Sequence, residues 1–203
     1  MDTASKGDAF RSAMRRVPAV VTIVTTSDAG EMRGITIGSF TSVALDPPLI
    51  SFNVGQEGRM HGVLLTASHF AVHLISQQQT HLCEHFATPD LTSAEQFSTV
   101  RHHLDAYGVP ILEDALVVLR CQRHDVFEAG DHSIILGQVI DIDEANDGEP
   151  VLYYNRSYRN IGALVARSPR SLSDFSYHGN GNQGGGHGSL VMSHGSLEKG
   201  HGS

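Results

Sequence analysis

The sequence predicts a mainly β protein organised as a closed or partly closed antiparallel barrel with short peripheral helices. Three observations lead there. Seven segments of the 203-residue chain carry strand patterns, either β-branched runs or apolar alternation bounded by turn residues. Several follow one another through short turns, as hairpins do. The helical patterns between them are too few and too short to cover both faces of a parallel sheet.

Phe10, Met14 and Val17 recur at helical spacing, so residues 8–16 read as an amphipathic helix ending before Pro18. Val20–Thr26, VVTIVTT, is β-branched throughout and reads as a strand, with SDAGE as the turn that follows. The next stretch, GITIGSFTSVALDPPLISFNV (Gly34–Val54), begins as a strand with Ile35 and Ile37 on one face. Its alternation then breaks at Gly38-Ser39, and Phe40 falls on the face opposite Ile35, Ile37, Val43 and Leu45. Asp46-Pro47-Pro48 forces a corner, and LISFNV resumes with Ile50, Phe52 and Val54 on one side.

Met60, Val63, Leu64 and Ala67 are spaced as a helix face, HFAVHLI alternates as a strand, and Leu82 and Phe86 mark a second helix. Residues 88–114 are turn-rich and read as a long excursion with one helical piece. ALVVLRCQRHDVF and HSIILGQVIDIDEA are two strands joined by the turn EAGD. VLYYN is a last short strand, and YRNIGALVA a closing helix. From His178 the composition shifts: nine of the last 26 residues are glycine, and HGS recurs with a period of seven. Glycine in every repeat defeats a helix, so residues 178–203 read as a disordered tail behind a domain spanning 1–177.

Charge and composition narrow the function. Fourteen basic against 22 acidic residues give a net charge of −8 and no basic cluster, which argues against nucleic acid or an anionic membrane as partner. No stretch approaches a membrane span, and the N-terminus lacks the apolar run of a signal peptide. Cys83 and Cys121 are the only cysteines, and two free thiols in a cytoplasmic protein are favoured over one disulfide. His81 and His85 have the spacing of two metal ligands but no evident third, so no metal site is assigned. No GxSxG elbow, GxGxxG or P-loop is present.

The broken strand behaves differently. Gly38 permits a bulge or a close backbone approach, and Thr36, Ser39, Thr41 and Ser42 offer hydroxyl donors beside it. Such a stretch suits a flat heteroaromatic ligand with carbonyls along one edge and a phosphate at one end.

The segments FRSAMRRVPAVVTIVTT, GITIGSFTSVALDPPLISFNV, HFAVHLI…HFA, GDHSIILGQVIDI and PVLYYNRSYRNIG resemble, in order and spacing, the flavin reductase-like, FMN-binding split-barrel family. The resemblance covers about residues 8–165 and is strongest to the small NAD(P)H:flavin oxidoreductases that serve two-component flavin monooxygenases. It implies an FMN-binding split barrel, with FMN or FAD as flavin and NADH or NADPH as reductant. It also implies a partner monooxygenase that receives the reduced flavin, and a homodimer. By the same resemblance the flavin is cradled by Thr36, Ile37, Gly38, Ser39, Phe40 and Ser42. Asn53, Gly58 and Arg59 serve its phosphate end, and Phe86 lies beside it. Gly58 stands where a serine is usual in the family. His132, in Gly130-Asp131-His132, falls near the nicotinamide and is the candidate positioning residue of catalysis. Tyr154, Arg156 and Tyr158 match a nucleotide-proximal segment from which Asn155 and Ser157 depart. Two alternatives stay open: a split-barrel protein that retains FMN and acts on another substrate, and a flavin-binding module without turnover.

Overall fold

A computed structural model describes residues 3–144 and 147–163 of the chain. In chain order the elements are α1 (Thr3–Met14), β1 (Ala19–Val20), β2 (Thr22–Asp28), β3 (Glu31–Ile37), β4 (Thr41–Leu45) and β5 (Pro48–Gly55). They continue as α2 (Arg59–Thr66), β6 (His69–Leu74), α3 (Thr80–Ala87), α4 (Ser93–Phe97), β7 (His102–Leu104) and β8 (Pro110–Leu112). The long hairpin β9 (Val117–Ala129) and β10 (His132–Glu144) is followed by β11 (Leu152–Tyr154) and β12 (Ser157–Arg159). The tail 178–203, and the end of the expected closing helix, lie outside the described residues.

Seven strands form one antiparallel sheet in the order β3-β2-β6-β9-β10-β5-β4. Its two edges, β3 and β4, are consecutive in sequence and joined only by Gly38, Ser39 and Phe40. Four Cα steps from Ile37 to Thr41 reach about 15 Å. Six strand spacings in a flat sheet would separate those edges by about 29 Å. The sheet therefore has to roll until its edges approach. Across the resulting seam the Asn53 backbone N–H donates to Ser39 Oγ at 2.9 Å. No ladder joins β3 to β4 or β5, which makes the barrel split rather than fully closed.

This rolling explains the interrupted alternation. Ile37 is buried, Ile35 is half-buried against the interior, and Phe40, carried over by the three-residue link, packs against the same core. Val43 and Leu45, expected on the face of Ile35, are instead 44% and 73% exposed. The irregularity in the ladder lies between Ser42 and Ala44, at Val43, and not at Gly38. Gly38 nevertheless sits tightly, since a Cβ there would meet the Ala19 Cβ at 3.3 Å. The expected corner at Asp46-Pro47 is the β4–β5 hairpin turn, with a cis peptide bond.

The barrel interior holds Val24, Phe52, Phe70, Val72 and Ile135, with Phe52 and Phe70 edge to face at 5.4 Å. A second core, outside the barrel wall, gathers Val21, Ile23, Ile75, Cys83, Phe86 and Phe97. Because β2 feeds Val24 to one core and Ile23 to the other, it is buried on both faces from Thr22 to Thr26 instead of alternating.

The long excursion contains the expected helix, α4, opened by a capping box between Thr92 and Glu95. It also contains the small hairpin β7–β8, which the sequence reading did not resolve. Helix α4 covers the open edge of β3. Buried Gln96 pairs with both the N–H and the C=O of Gly34 at 3.1 Å, as a neighbouring strand would. Buried His73 fastens β8 in the same spirit: its Nε2 accepts from the Leu112 N–H, and its Nδ1–H donates to the Ile23 carbonyl, each at 3.0 Å.

Two expectations are corrected at the ends of the domain. The first helix runs from Thr3 to Met14, and its apolar positions face outward, with Phe10 67% and Met14 47% exposed. Tyr158 and Arg159 belong to strand β12 and not to a helix; β12 pairs with β11, which extends β1.

Candidate active site

The seam of the barrel is also its principal groove. A cavity of about 810 Å³ is lined by Thr36, Ile37, Gly38 and Ser39 from the β3 end, Asn53 from β5 and His132 from β10. Beyond Ile35 and Thr36 it adjoins a second groove of about 590 Å³ lined by Gly58, Arg59 and Phe86. At its other end, past Gly38, a third groove of about 690 Å³ is lined by Phe40, Arg156 and Tyr153. Eleven of the fourteen residues singled out from the sequence thus fall on one connected track. Ser42, Tyr154 and Tyr158 lie outside these three grooves. Ser42 is exposed on β4, Tyr154 is exposed at the hairpin tip, and Tyr158 packs on the second core with its ring 5.5 Å from Tyr153.

Not every hydroxyl offered by the sequence is available. Thr36 Oγ1 donates to the Cys83 carbonyl at 2.7 Å, tying β3 to α3. Ser39 Oγ is engaged across the seam by Asn53. What the link contributes instead is backbone: Gly38, Ser39 and Phe40 belong to no strand ladder, so their amides are not committed to a neighbouring strand. A split in the barrel therefore creates donors that a closed ladder would have consumed.

The 590 Å³ groove has an electropositive end. Helix α2 begins at Arg59 after Gly58, an extended N-cap (φ −77°, ψ 144°) with no side chain to accept from the first turn. Helix N-terminal amides without such a partner favour an anion. Arg59 is exposed and has no ion pair among the described residues. His61, in the first turn of α2, is turned to β10, with Nε2 2.9 Å from Ser133 Oγ. Phe86 is 2% exposed; it lies against Gly34, where any Cβ would come within 2.4 Å of its ring, and stacks edge to face on Phe97.

His132 opens β10, opposite Gly55 of β5, and its Nδ1 lies 2.7 Å from Asp131 Oδ1. That hydrogen bond and the histidine charge hold the Asp131 carboxyl below the usual range, with a smaller contribution from Arg11. With Nδ1–H given to the carboxylate, Nε2 is the acceptor in the neutral ring and a second donor in the charged one, and it sits 3.8 Å from where a Cβ on Gly55 would be. Glycine at position 55 keeps that space open.

The sequence reading left the N-terminal helix out of the site. Gly7, Phe10 and Arg11 of α1 line the central groove, and Arg11 also lines the third. The available signal was the pair Arg11 and Arg15, four apart on one helical face. Among the described residues no nucleophile is poised in the track. Cys83 and Cys121 are buried, unpaired, and pushed up to about 12 by that burial. His85 donates its Nε2–H to the Gln96 carbonyl, 2.8 Å away, and among the described residues no group of three metal-binding side chains is assembled.

Comparison with known proteins gives a consistent picture. The profile of the flavin reductase like domain matches residues 14–162. The chain is 37% identical to the NADH:riboflavin 5'-phosphate oxidoreductase of Streptomyces pristinaespiralis, over 73% of this chain and 85% of that protein. It is 33% identical to the reductase component of the 4-hydroxyphenylacetate 3-monooxygenase of Thermus thermophilus, over 76% of this chain and 96% of that protein. Among solved structures it is similar to the Streptomyces globisporus C-1027 NADH:FAD oxidoreductase in complex with NAD and FAD fragments. There the TM-score is 0.74 at 32% identity, covering 82% of this chain and 99% of that one.

Proposed function

The chain belongs to the flavin reductase-like domain family, and we infer from this premise that it is an NAD(P)H:flavin oxidoreductase supplying reduced flavin to a monooxygenase component. The observation in the structure that carries the reading is the track along the barrel seam. It has an anion-accepting helix start at Arg59, uncommitted amides at Gly38–Phe40, and an oriented imidazole at His132. Both grooves have the volume of small-molecule sites.

The bound flavin and nicotinamide supply the chemistry themselves, a hydride passing from C4 of NAD(P)H to N5 of the flavin. The protein's part is to bind and orient. Arg59 and the first turn of α2 hold the flavin phosphate, where Gly58 leaves the amides uncovered. The Gly38–Phe40 amides, with Ile37 beneath, fix the ring edge; Asn53 and Ser39 hold the seam in register. Asp131 fixes the tautomer of His132, whose Nε2 positions the reductant across the groove. Phe86 keeps the wall dry by filling the space over Gly34. Hydride transfer of this kind asks for alignment more than for acid or base. A groove open along its length suits a flavin that must leave after reduction.

The reactive form is read as a homodimer. Val20, Tyr153 and Tyr154 lie beside the exposed Phe10, Met14 and Val17, an apolar surface that a second copy would cover. Two buried, unpaired cysteines support a cytoplasmic setting, and no helix among the described residues is long and apolar enough to cross a membrane. Steady-state kinetics with NADH and NADPH against FMN and FAD tests the activity. A chain that purifies with tightly held flavin and does not reduce added flavin would be a different enzyme on the same fold.

A further inference from the structure

Three hydrogen bonds leave the short segment that carries Arg59 and end on three consecutive residues around His132. The Gln56 N–H donates to the Asp131 carbonyl at 3.0 Å. The Gln56 side chain donates from Nε2 to the His132 carbonyl at 3.2 Å. Five residues on, His61 Nε2 lies 2.9 Å from Ser133 Oγ. The first bond continues the β5–β10 ladder, since Gly55 pairs with His132 and Gln56 is the next residue past that rung. The other two are side-chain bonds that no ladder requires. An exposed loop glutamine ordinarily turns to water, and this one turns back to the strand. Both carbonyls that flank His132 along the chain are thus held by Gln56, and His61 meets the hydroxyl of Ser133, a side chain buried to 1% exposure.

Arg59 stands between the two ends of this staple. The Gly58 N–H donates to the Gly55 carbonyl at 3.2 Å and the His61 N–H to the Gly58 carbonyl at 3.0 Å, so residues 55–61 form one tight turn running into α2. Among the described residues Arg59 has no carboxylate partner. An anion at Arg59 and the open helix start would add charge-assisted bonds to the middle of the turn. His132, by contrast, needs help to hold its direction. Its ring is oriented by Asp131, but the Asp131 side chain is 95% exposed and the His132 side chain 49%, and so open a pair restrains a ring weakly. The direction of the imidazole therefore depends on the backbone that carries it, and that backbone is what Gln56 and His61 hold.

We propose that Gln56 and His61 are positioning residues that couple the flavin phosphate to the reductant. An anion at Arg59 orders the 55–61 turn, and the turn sets His132 for the nicotinamide. The inference rests on the flavin reductase reading, and it gives the phosphate of FMN a second task beyond anchorage. By reciprocity, a bound nucleotide tightens FMN more than it tightens riboflavin.

The test uses FMN and riboflavin, each at saturation, because the two flavins differ only in the phosphate. Hydrogen exchange reads the order of residues 130–134 without turnover, and steady-state kinetics reads KM for NADH. In wild type the amides of 130–134 should exchange about fivefold more slowly with FMN than with riboflavin, and KM for NADH should be about fivefold lower, the low end of coupling between sites. In Gln56→Met, which keeps the length of the side chain without its donor, and in His61→Ala, both ratios should fall toward one. They should fall because the FMN values rise to meet the riboflavin values, which stay near those of wild type. His61→Gln, whose amide can still bond to Ser133, should restore part of the difference. A staple that is only structural would raise KM for NADH equally with either flavin and leave the ratios where they were, and that result overturns the proposal. So does a wild type whose exchange and KM do not distinguish the two flavins. A wild-type chain that reduces neither flavin with NADH or NADPH overturns instead the reductase reading beneath it.

Discussion

Gly34→Ala is a one-carbon test of how the second core shapes the flavin groove. The added Cβ would lie 2.4 Å from Phe86 Cε1 and 2.5 Å from Cδ1. Ordinary carbon contacts begin near 3.5 Å, so the ring must retreat by about 1 Å. It has little room, being 2% exposed and set edge to face against Phe97 at 5.5 Å. The backbone of Gly34 cannot yield instead, because Gln96 holds its N–H and C=O. Overpacking of this kind costs about 1 to 3 kcal/mol. Since Phe86 and Gly34 both line the 590 Å³ groove, the displaced ring should also raise KM for FMN. Phe86→Leu alone should cost roughly 1 to 2 kcal/mol through the space it leaves. The double variant should cost less than the sum, because leucine makes room for the new methyl; the coupling should be about 1 kcal/mol or more. Urea melts give the stabilities and steady-state kinetics the KM. Additive costs, or a Gly34→Ala protein as stable as wild type, would refute the close packing of Phe86 on β3.

Arg59→Ala should weaken FMN binding about 10- to 150-fold through lost charge-assisted bonds, mainly in KM, while riboflavin, which has no phosphate, is nearly indifferent. His73 predicts a pH dependence. Burial lowers its pKa from 6.5 to about 4, so its contribution is fully present above pH 6.5 and is lost as pH falls toward 4. That gap of about 2.5 is worth about 3 kcal/mol. His73→Leu should be less stable at pH 7, because the Ile23 carbonyl and the Leu112 amide lose their partner, but should lose less on acidification than wild type in parallel melts. Removing residues 178–203 should leave flavin reduction intact; a large drop in activity would show that the tail docks on the domain.

The fold was legible where one physical cause acts at a time. The long hairpin β9–β10 reads from its alternation and its Gly130-Asp131 turn, and α3 from the spacing of Leu82 and Phe86. Legibility failed where tertiary closure overrides local pattern. The slip at Gly38-Ser39 looks like a bulge, yet it is the place where the chain passes from one sheet edge to the other, a fact only the strand order supplies. Amphipathic spacing placed Phe10 and Met14 on a buried face, but among the described residues of one copy they stay exposed. The hydroxyls of Thr36 and Ser39 looked like ligand donors and proved to be seam and helix ties. Of the site, the family resemblance brought out the residues on β3, β5 and β10, while Arg11 and Arg15 escaped notice because a helical arginine ordinarily reads as solvated surface.

The central claim is catalytic turnover of free flavin, and anaerobic mixing of NADH with FMN in large excess over the protein tests it most directly. The flavin absorbance should bleach completely, at a rate proportional to protein concentration, because each reduced flavin leaves the open groove and another takes its place. Bleaching that stops when the reduced flavin equals the protein present, or that proceeds no faster than without protein, would contradict it.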